Sequence, residues 1–290
     1  MPRINWPGWG AGAALVAFVY HAVIIRLVGS EWGRADFDYC YLIPFVMAYL
    51  VWERRGELLS MPSKASWAGL WAFGVAVIFL LLGELGGEFL SLFISLWFAI
   101  LGVCWTLLGW RKLKVVLFAL FLLAMAFPPP NYLYSRLTLG MQLLSTRLGV
   151  EFLHLLGIPA YREGNVIDMG FTQLEVVAAC SGLRFLIPLV IVGMLLTYYF
   201  REKWWKRTLL MLFTLPLAIA MNGLRIGLSG VLARSYGPGI VEGAAHDAMG
   251  WVMFLLSAAI LAGCMKLFTS RGKPMLVTFP QGCGDMVETR

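Results

Sequence analysis

The chain reads as long apolar stretches separated by short polar breaks, and the stretches recur from one end to the other. About 20 apolar residues are what a helix needs to cross a hydrocarbon core of about 30 Å. On that measure the pattern predicts about eight membrane-crossing helices, near residues 10–28, 37–52, 67–84, 88–108, 113–128, 181–200, 208–230 and 247–268. The gap between the fifth and sixth has a different texture. It opens FPPPNYLYSRLTLGMQLLSTRLGVEFLHLLG, where prolines end the fifth helix and a helical apolar period follows, which predicts a helix lying along the outer surface. The next stretch is IPAYREGNVIDMGFTQLEVVAAC, in which Gly164-Asn165 and Gly170 punctuate short β-branched runs, as a small hairpin needs. The expected fold is therefore an all-α polytopic integral membrane protein with a small extracytoplasmic β-hairpin. It reads as one domain over residues 1–290, with the chemistry in 158–268 and a short cytoplasmic tail at 269–290.

Composition agrees with that pattern: 60% of the 290 residues are hydrophobic and only 13% are charged, outside the usual balance of a soluble domain. The formal net charge of +7 at first suggests nucleic acid, but the cations sit in short loops rather than on one continuous face, so the charge reads as topology. With the N-terminus inside, the inner loops collect Arg3, Arg54, Arg55, Lys64, Arg111, Lys112, Lys114, Arg201, Lys203, Lys206, Arg207, Lys266, Arg271, Lys273 and Arg290. The outer segments keep only Arg34, Arg136, Arg147, Arg162 and Arg234, so both termini are expected in the cytoplasm. The first apolar stretch lacks a small-x-small cleavage site before Glu31 and is expected to be retained as a span. Five cysteines show no CxxC pair and no paired spacing with the three histidines, so neither a metal centre nor a disulfide framework is indicated. No cofactor is called for.

Under this topology three side chains of unlike chemistry fall at one membrane level on the outer side. Cys180, in LEVVAACSGLRFLIPLV, stands at the outer end of the sixth span, next to Ser181, Gly182 and Arg184; Gly182 lets another backbone or a substrate approach closely. A helix N-terminus and a nearby cation both favour thiolate. Arg225 lies inside the seventh span, in NGLRIG, where an arginine costs about 2.5 to 3.5 kcal/mol on insertion scales and so usually faces a partner or a water-filled cavity. Asn222 shares its stripe, and Gly223 and Gly227 form a GxxxG face for a neighbouring helix. His246 opens the eighth span, between Glu242 and Asp247, and imidazole is the side chain best suited to moving protons near neutral pH. A thiol, an imidazole and a guanidinium suffice for acyl transfer: attack on an amide carbonyl, protonation of the leaving amine, stabilisation of the oxyanion.

On the residues alone an alternative stays open, in which Arg225 pairs with a carboxylate such as Glu242 across a transport path, His246 is interfacial and Cys180 merely packs. That reading makes the chain a transporter or a noncatalytic component of polysaccharide export. Cys40 could approach Cys180, and a disulfide in an oxidising exterior would block the nucleophile. His21, Arg26 and His154 read as packed or snorkelling, and Cys104, Cys264 and Cys283 fall out of reach of an outer site.

The segments EGNVIDMGFTQLEVVAACSGLRFL, NGLRI and HDAMG, in that order and spacing, resemble the exosortase/archaeosortase family of polytopic membrane cysteine transpeptidases. The resemblance extends upstream through FPPP and LGIPAYREGN and covers most of the chain. It implies Cys180 as nucleophile, Arg225 and His246 as its catalytic partners, and Asn222, Arg184, Ser181 and Gly182 as supporting residues. It implies as substrates exported proteins with a C-terminal sorting signal: a PEP-like motif, a transmembrane helix and a basic cluster. It also implies a multi-pass inner-membrane location with the site facing outward. Two departures stand out. Where many relatives carry a histidine-glycine pair before the second span, this chain has Tyr39 and Cys40, and no soluble domain is seen after the eighth span.

Overall fold

The computed structural model describes residues 6–200, 202–237, 239 and 243–269. Glu242, Cys283 and the tail from residue 270 onward lie outside the described residues. The chain divides into two compact units, one ending at Pro130 and one beginning at Asn131.

The first unit is helical. α1 (Trp6–Val19) and α2 (His21–Arg26) meet at a bend of 72° between Pro7–Val19 and His21–Glu31, and a π-helical turn, Leu27–Glu31, follows. The expected span at 10–28 is thus a broken one. A 3₁₀ turn, Asp38–Leu42, leads into α3 (Ile43–Glu53), so the apolar run 37–52 yields only 11 residues of α-helix. Pro44 explains the late start, since proline suits a first helical turn but not an interior. A short α4 (Arg55–Ser60) and α5 (Gly69–Gly86) come next.

α6 (Phe89–Ala124) has 36 residues but is not one straight rod. Trp97 Nε1 donates to the Leu120 carbonyl at 2.6 Å, although the two are 23 residues apart. In a continuous helix they would stand about 35 Å apart. Phe93 likewise stacks on Phe127, with centroids 5.8 Å apart. The chain folds back at Gly109, whose φ of 73° and ψ of 166° no side-chain-bearing residue adopts easily and where a Cβ would strike the Lys64 carbonyl. The expected stretches 88–108 and 113–128 are the two arms of this hairpin, and Leu101, Leu113, Val116 and Leu120 pack between them. A hydroxyl relay ties the first arm to its neighbours: Tyr20 hydrogen-bonds Ser95 at 2.6 Å, and Ser95 donates to the Ala76 carbonyl at 2.6 Å.

The second unit opens with α7 (Asn131–Leu155), 25 residues long. Three strands follow, β1 (Tyr161–Glu163), β2 (Val166–Asp168) and β3 (Gln173–Glu175), paired antiparallel in that order. The expected hairpin is therefore a three-stranded meander, with its first turn at Gly164-Asn165 and its second around Gly170, whose amide is held by Asp168 Oδ1 at 2.8 Å. α8 (Leu183–Tyr199), α9 (Trp204–Tyr236) and α10 (Gly243–Phe268) complete the unit. At one end Lys206, in the first turn of α9, bonds Glu202 and donates to the Phe268 carbonyl at 2.6 Å, closing the C-terminus of α10.

α7 does not fit the expectation of a helix laid on a surface. Gly223, Gly227 and Gly230 of α9 face Leu148, Phe152 and Leu153 of α7, while Gly149 of α7 faces Ile226. Numbers rise together along both helices, so α7 stands parallel to α9, and the GxxxG face holds it. The apolar period revealed a buried stripe but not the helix that covers it.

Among the described residues four helices are long and apolar enough to cross a membrane: α5, α6, α9 and Ala245–Phe268 of α10, or five if the bent pair at the N-terminus counts as one. The expected eight is not reached on that test, because α3 is short, α8 has 17 residues and the two arms of α6 form one continuous element. The protein is a multi-pass membrane protein, mostly helical, with one small sheet.

The α7–α9 seam gives a direct test. Gly227→Ala places a methyl in the Phe152 ring and should destabilise the detergent-solubilised protein by about 1 to 3 kcal/mol. Gly140→Ala, on the open side of α7 with nothing within 4 Å, should be neutral or mildly stabilising. Thermal unfolding of the two variants against wild type checks this, and equal behaviour would refute the close seam.

Candidate active site

Cys180 closes a 3₁₀ turn, Ala178–Cys180, three residues before Leu183 begins α8. Sheet, α7 and α9 all fix that turn. Val176 donates to the Asn165 carbonyl at 2.9 Å, and Gln142 of α7 donates its side-chain amide to the Val176 carbonyl. Asn222 Nδ2 donates to the Cys180 carbonyl itself at 3.0 Å. Ile167, Met169, Val176, Cys180, Ile226 and Ala233 share one apolar cluster, so the sheet is packed onto the end of α9 rather than hanging free. The sheet thus delivers the thiol.

Gly182 makes the next turn possible. It caps α8 with φ 84°, and a Cβ there would lie 2.6 Å from Asn222 Cγ, so both backbone and space exclude a side chain. Ser181 is buried, and its hydroxyl accepts from the Leu183 amide at 3.3 Å, meeting one of the open donors of the helix start.

His246 lies in the first turns of α10, with Nε2 3.1 Å from Cys180 Sγ; Nδ1 is farther, at 3.9 Å. The nearer nitrogen is the one placed to exchange a proton with sulfur. Arg225 is 3% exposed in the middle of α9, its guanidinium 5.8 Å from the Phe185 ring centroid, within cation–π reach. Gly250 of α10 makes room for it: a Cβ there would stand 2.6 Å from the Phe185 ring and 3.1 Å from Arg225 Nη1. Arg225 Nη2 has no hydrogen-bond partner among the described residues, and a cavity of ≈ 20 Å³ lined by Arg225, Asn222, Phe185 and Gly250 adjoins it. Arg184 reaches Asp247 at 3.8 Å, a loose, half-exposed pair joining α8 to α10 beside the site.

The structure therefore brings Cys180 and His246 into contact and sets Asn222, Ser181, Gly182 and Arg225 around them. Arg184 stands at the rim. Cys40 and Cys180 are both free thiols, and Cys40 is buried in the first unit. Cys104 and Cys264 are also free; His21 bonds the Phe18 carbonyl and His154 the Ala160 carbonyl, and each is exposed. Gln142, Phe185 and Gly250 were not singled out from sequence. Gln142 carried a signal in the polar positions Thr138, Gln142, Ser145 and Thr146 at helical spacing on one buried face of α7. No group of three or more potential metal ligands occurs among the described residues.

Electrostatics at the thiol pull in both directions. Burial is the largest influence and pushes the Cys180 thiol above its ordinary range; the Arg225 charge and the Val177 backbone pull it down, and Asp247 pushes it up. The net is upward, so the thiol rests neutral and the adjacent imidazole is the base available to it.

Over residues 32–263 the sequence matches the family model of the transmembrane exosortases (Exosortase_EpsH), which takes in most of the chain, Cys180, Asn222, Arg225 and His246 included. The chain belongs to the transmembrane exosortase family. Neither a curated protein nor a solved structure matches it. Exosortases are a family of membrane cysteine transpeptidases, and Cys180 of this chain has an imidazole at hydrogen-bond distance.

The pH dependence of Cys180 follows from its surroundings. Its alkylation by iodoacetamide should be slow at neutral pH and rise through an inflection above the ordinary thiol range. Asp247→Asn removes a charge that raises the thiol and should move that inflection to lower pH. An unchanged or upward-moved inflection, followed by mass spectrometry across pH, would count against this electrostatic account.

Proposed function

We propose that this exosortase cleaves C-terminal sorting signals of exported proteins through a thioester on Cys180. The observation that carries the reading is the 3.1 Å approach of His246 Nε2 to Cys180 Sγ at the head of two helices. In the first half-reaction Sγ attacks the scissile carbonyl carbon while its proton passes to Nε2. The tetrahedral intermediate then collapses, the C–N bond breaks, and Nε2 returns the proton to the leaving amine, leaving an acyl-enzyme. In the second half an acceptor amine, or water, attacks the thioester, His246 takes its proton, the C–S bond breaks and the thiol is restored. Arg225 offers Nη2 to the oxyanion or to the substrate backbone. Asn222 positions the Cys180 turn, Gly182 and Ser181 shape the entry to α8, and Arg184 with Asp247 forms a charged rim for the peptide.

The substrate is a membrane-anchored protein whose own apolar helix lies beside α8 to α10, with a PEP-type motif emerging at the level of Cys180 and a basic cluster at the far end. The enzyme sits in the inner membrane with Cys180 facing outward and both termini in the cytoplasm. Two features support this orientation. Lys203, Lys206 and Arg207 mark the turn between α8 and α9, at the ends of those helices away from Cys180. Arg111, Lys112 and Lys114 follow the hairpin tip at Gly109, beside Lys64.

Co-expression with a sorting-signal substrate tests the reading. Wild type should trim the substrate, Cys180→Ala should abolish trimming, and His246→Ala should slow it by about 10² or more at equal membrane levels. A transporter would be indifferent to the thiol, and trimming by Cys180→Ala would sink the mechanism.

A further inference from the structure

The first unit carries a feature that the chemistry at Cys180 does not use. A cavity of ≈ 680 Å³ lies between α1, α3, α4 and the two arms of α6, within the size range of small-molecule sites. Its walls are apolar, among them Trp9, Val51, Cys104 and Leu120. At one end the character changes, because Lys112 and Ser63 line it, and Arg55 is also part of the lining. Lys112 is 6% exposed, and its ammonium donates to Ser63 Oγ at 2.7 Å. Arg55 lies 4.0 Å over the Trp52 ring and donates to the Trp52 carbonyl at 3.0 Å. No carboxylate pairs with either cation among the described residues, although Arg54 next door is bridged to Glu57 at 3.2 Å. An ammonium so deeply buried, with a single neutral partner, is costly unless an anion joins it.

We propose that this cavity binds an anionic phospholipid, one acyl chain lying along the apolar walls and the phosphate held by Lys112 and Ser63, with Arg55 as a further cation of the lining. Charge and shape agree on the occupant. The apolar length suits a hydrocarbon tail, two cations without a carboxylate suit a phosphate, and a serine hydroxyl donates as the third group. The position agrees as well. The polar end of the cavity shares its neighbourhood with Arg54, Lys64 and Arg111, the basic end of this unit, and basic pockets between helices on the cytoplasmic face are where anionic headgroups collect. The lining lies wholly in the first unit and includes none of the residues set around Cys180.

The test uses the full-length protein purified in a neutral detergent, with dioleoyl phosphatidylglycerol and dioleoyl phosphatidylcholine as probes. At about a hundredfold excess over Kd the anionic lipid should raise Tm by about 5 °C and the zwitterionic lipid much less. Lys112→Met with Arg55→Met should abolish the difference between the lipids. Ala119→Phe, which fills the cavity but leaves both cations, should abolish it too and covers the case in which the double variant fails to fold. Native mass spectrometry should show one retained phosphatidylglycerol in wild type and none in the filled variant. Equal shifts with both lipids, an undiminished shift in the filled variant, or the same stabilisation by inorganic phosphate would each overturn the proposal.

Discussion

A guanidinium held at 3% exposure among apolar helices is the constraint around which the C-terminal unit is arranged. Arg225 cannot shed its charge, and a cation inside a membrane bundle is tolerated only where the surroundings answer it. Here the answers come from three helices. α8 lends the Phe185 ring, α10 lends the space at Gly250, and α9 keeps Asn222 one turn away to hold the Cys180 carbonyl. The titratable groups coupled to Arg225 are the Cys180 thiol, Arg184 and Asp247, so its field falls on the thiol and on the rim pair together. A lysine would keep the charge but lose the planar fork and its stacking.

The small residues follow from the same demand. Close packing of α9 against α7 through Gly223, Gly227 and Gly230, and of α10 against α8 through Gly250, removes water and lipid from around the guanidinium. In hydrocarbon the association of helices gains little from hydrophobicity, so contact area depends on how near the backbones come. The sheet has the complementary task. Backbone at the membrane boundary must find its hydrogen bonds locally, and the β1-β2-β3 meander does so while carrying the chain from the end of α7 to the Cys180 turn. Gln142, reaching from α7 to the Val176 carbonyl, ties that turn to the helix that α9 supports.

Sequence made some of this legible and hid the rest for physical reasons. Cys180, Arg225 and His246 stood out because each is a polar residue at or in an apolar run, and counting spans placed all of them on one side. The arms of α6 were separable because ArgLysLeuLys breaks the run beyond Gly109; that they fold back on each other shows only in the contact between Trp97 and Leu120. The length of α3 was misjudged because hydropathy does not distinguish 3₁₀ from α geometry around Asp38–Leu42. The orientation of α7 was hidden since an amphipathic stripe is the same whether sheet, lipid surface or helix covers it. Phe185 and Gly250 lie in apolar context with no sequence mark, and their relevance exists only once Arg225 is placed between them.

The resting electrostatics bear on why a neutral thiol suits a proposed acyl transferase in such surroundings. If Cys180 rested as a thiolate, the Arg225 field would stabilise the ground state about as much as the transition state, and that part of the interaction would not speed the chemistry. With the thiol kept neutral by burial, the guanidinium meets no full negative charge at sulfur before attack, and Nη2 remains a donor without a partner among the described residues. In the proposed reaction negative charge first appears on the substrate oxygen as His246 takes the proton. The interaction would then grow along the reaction coordinate around a guanidinium only 3% exposed, which is the condition under which a fixed buried cation lowers a barrier. The insertion penalty of Arg225 and the upward push on the Cys180 thiol are thus two consequences of one low-dielectric environment.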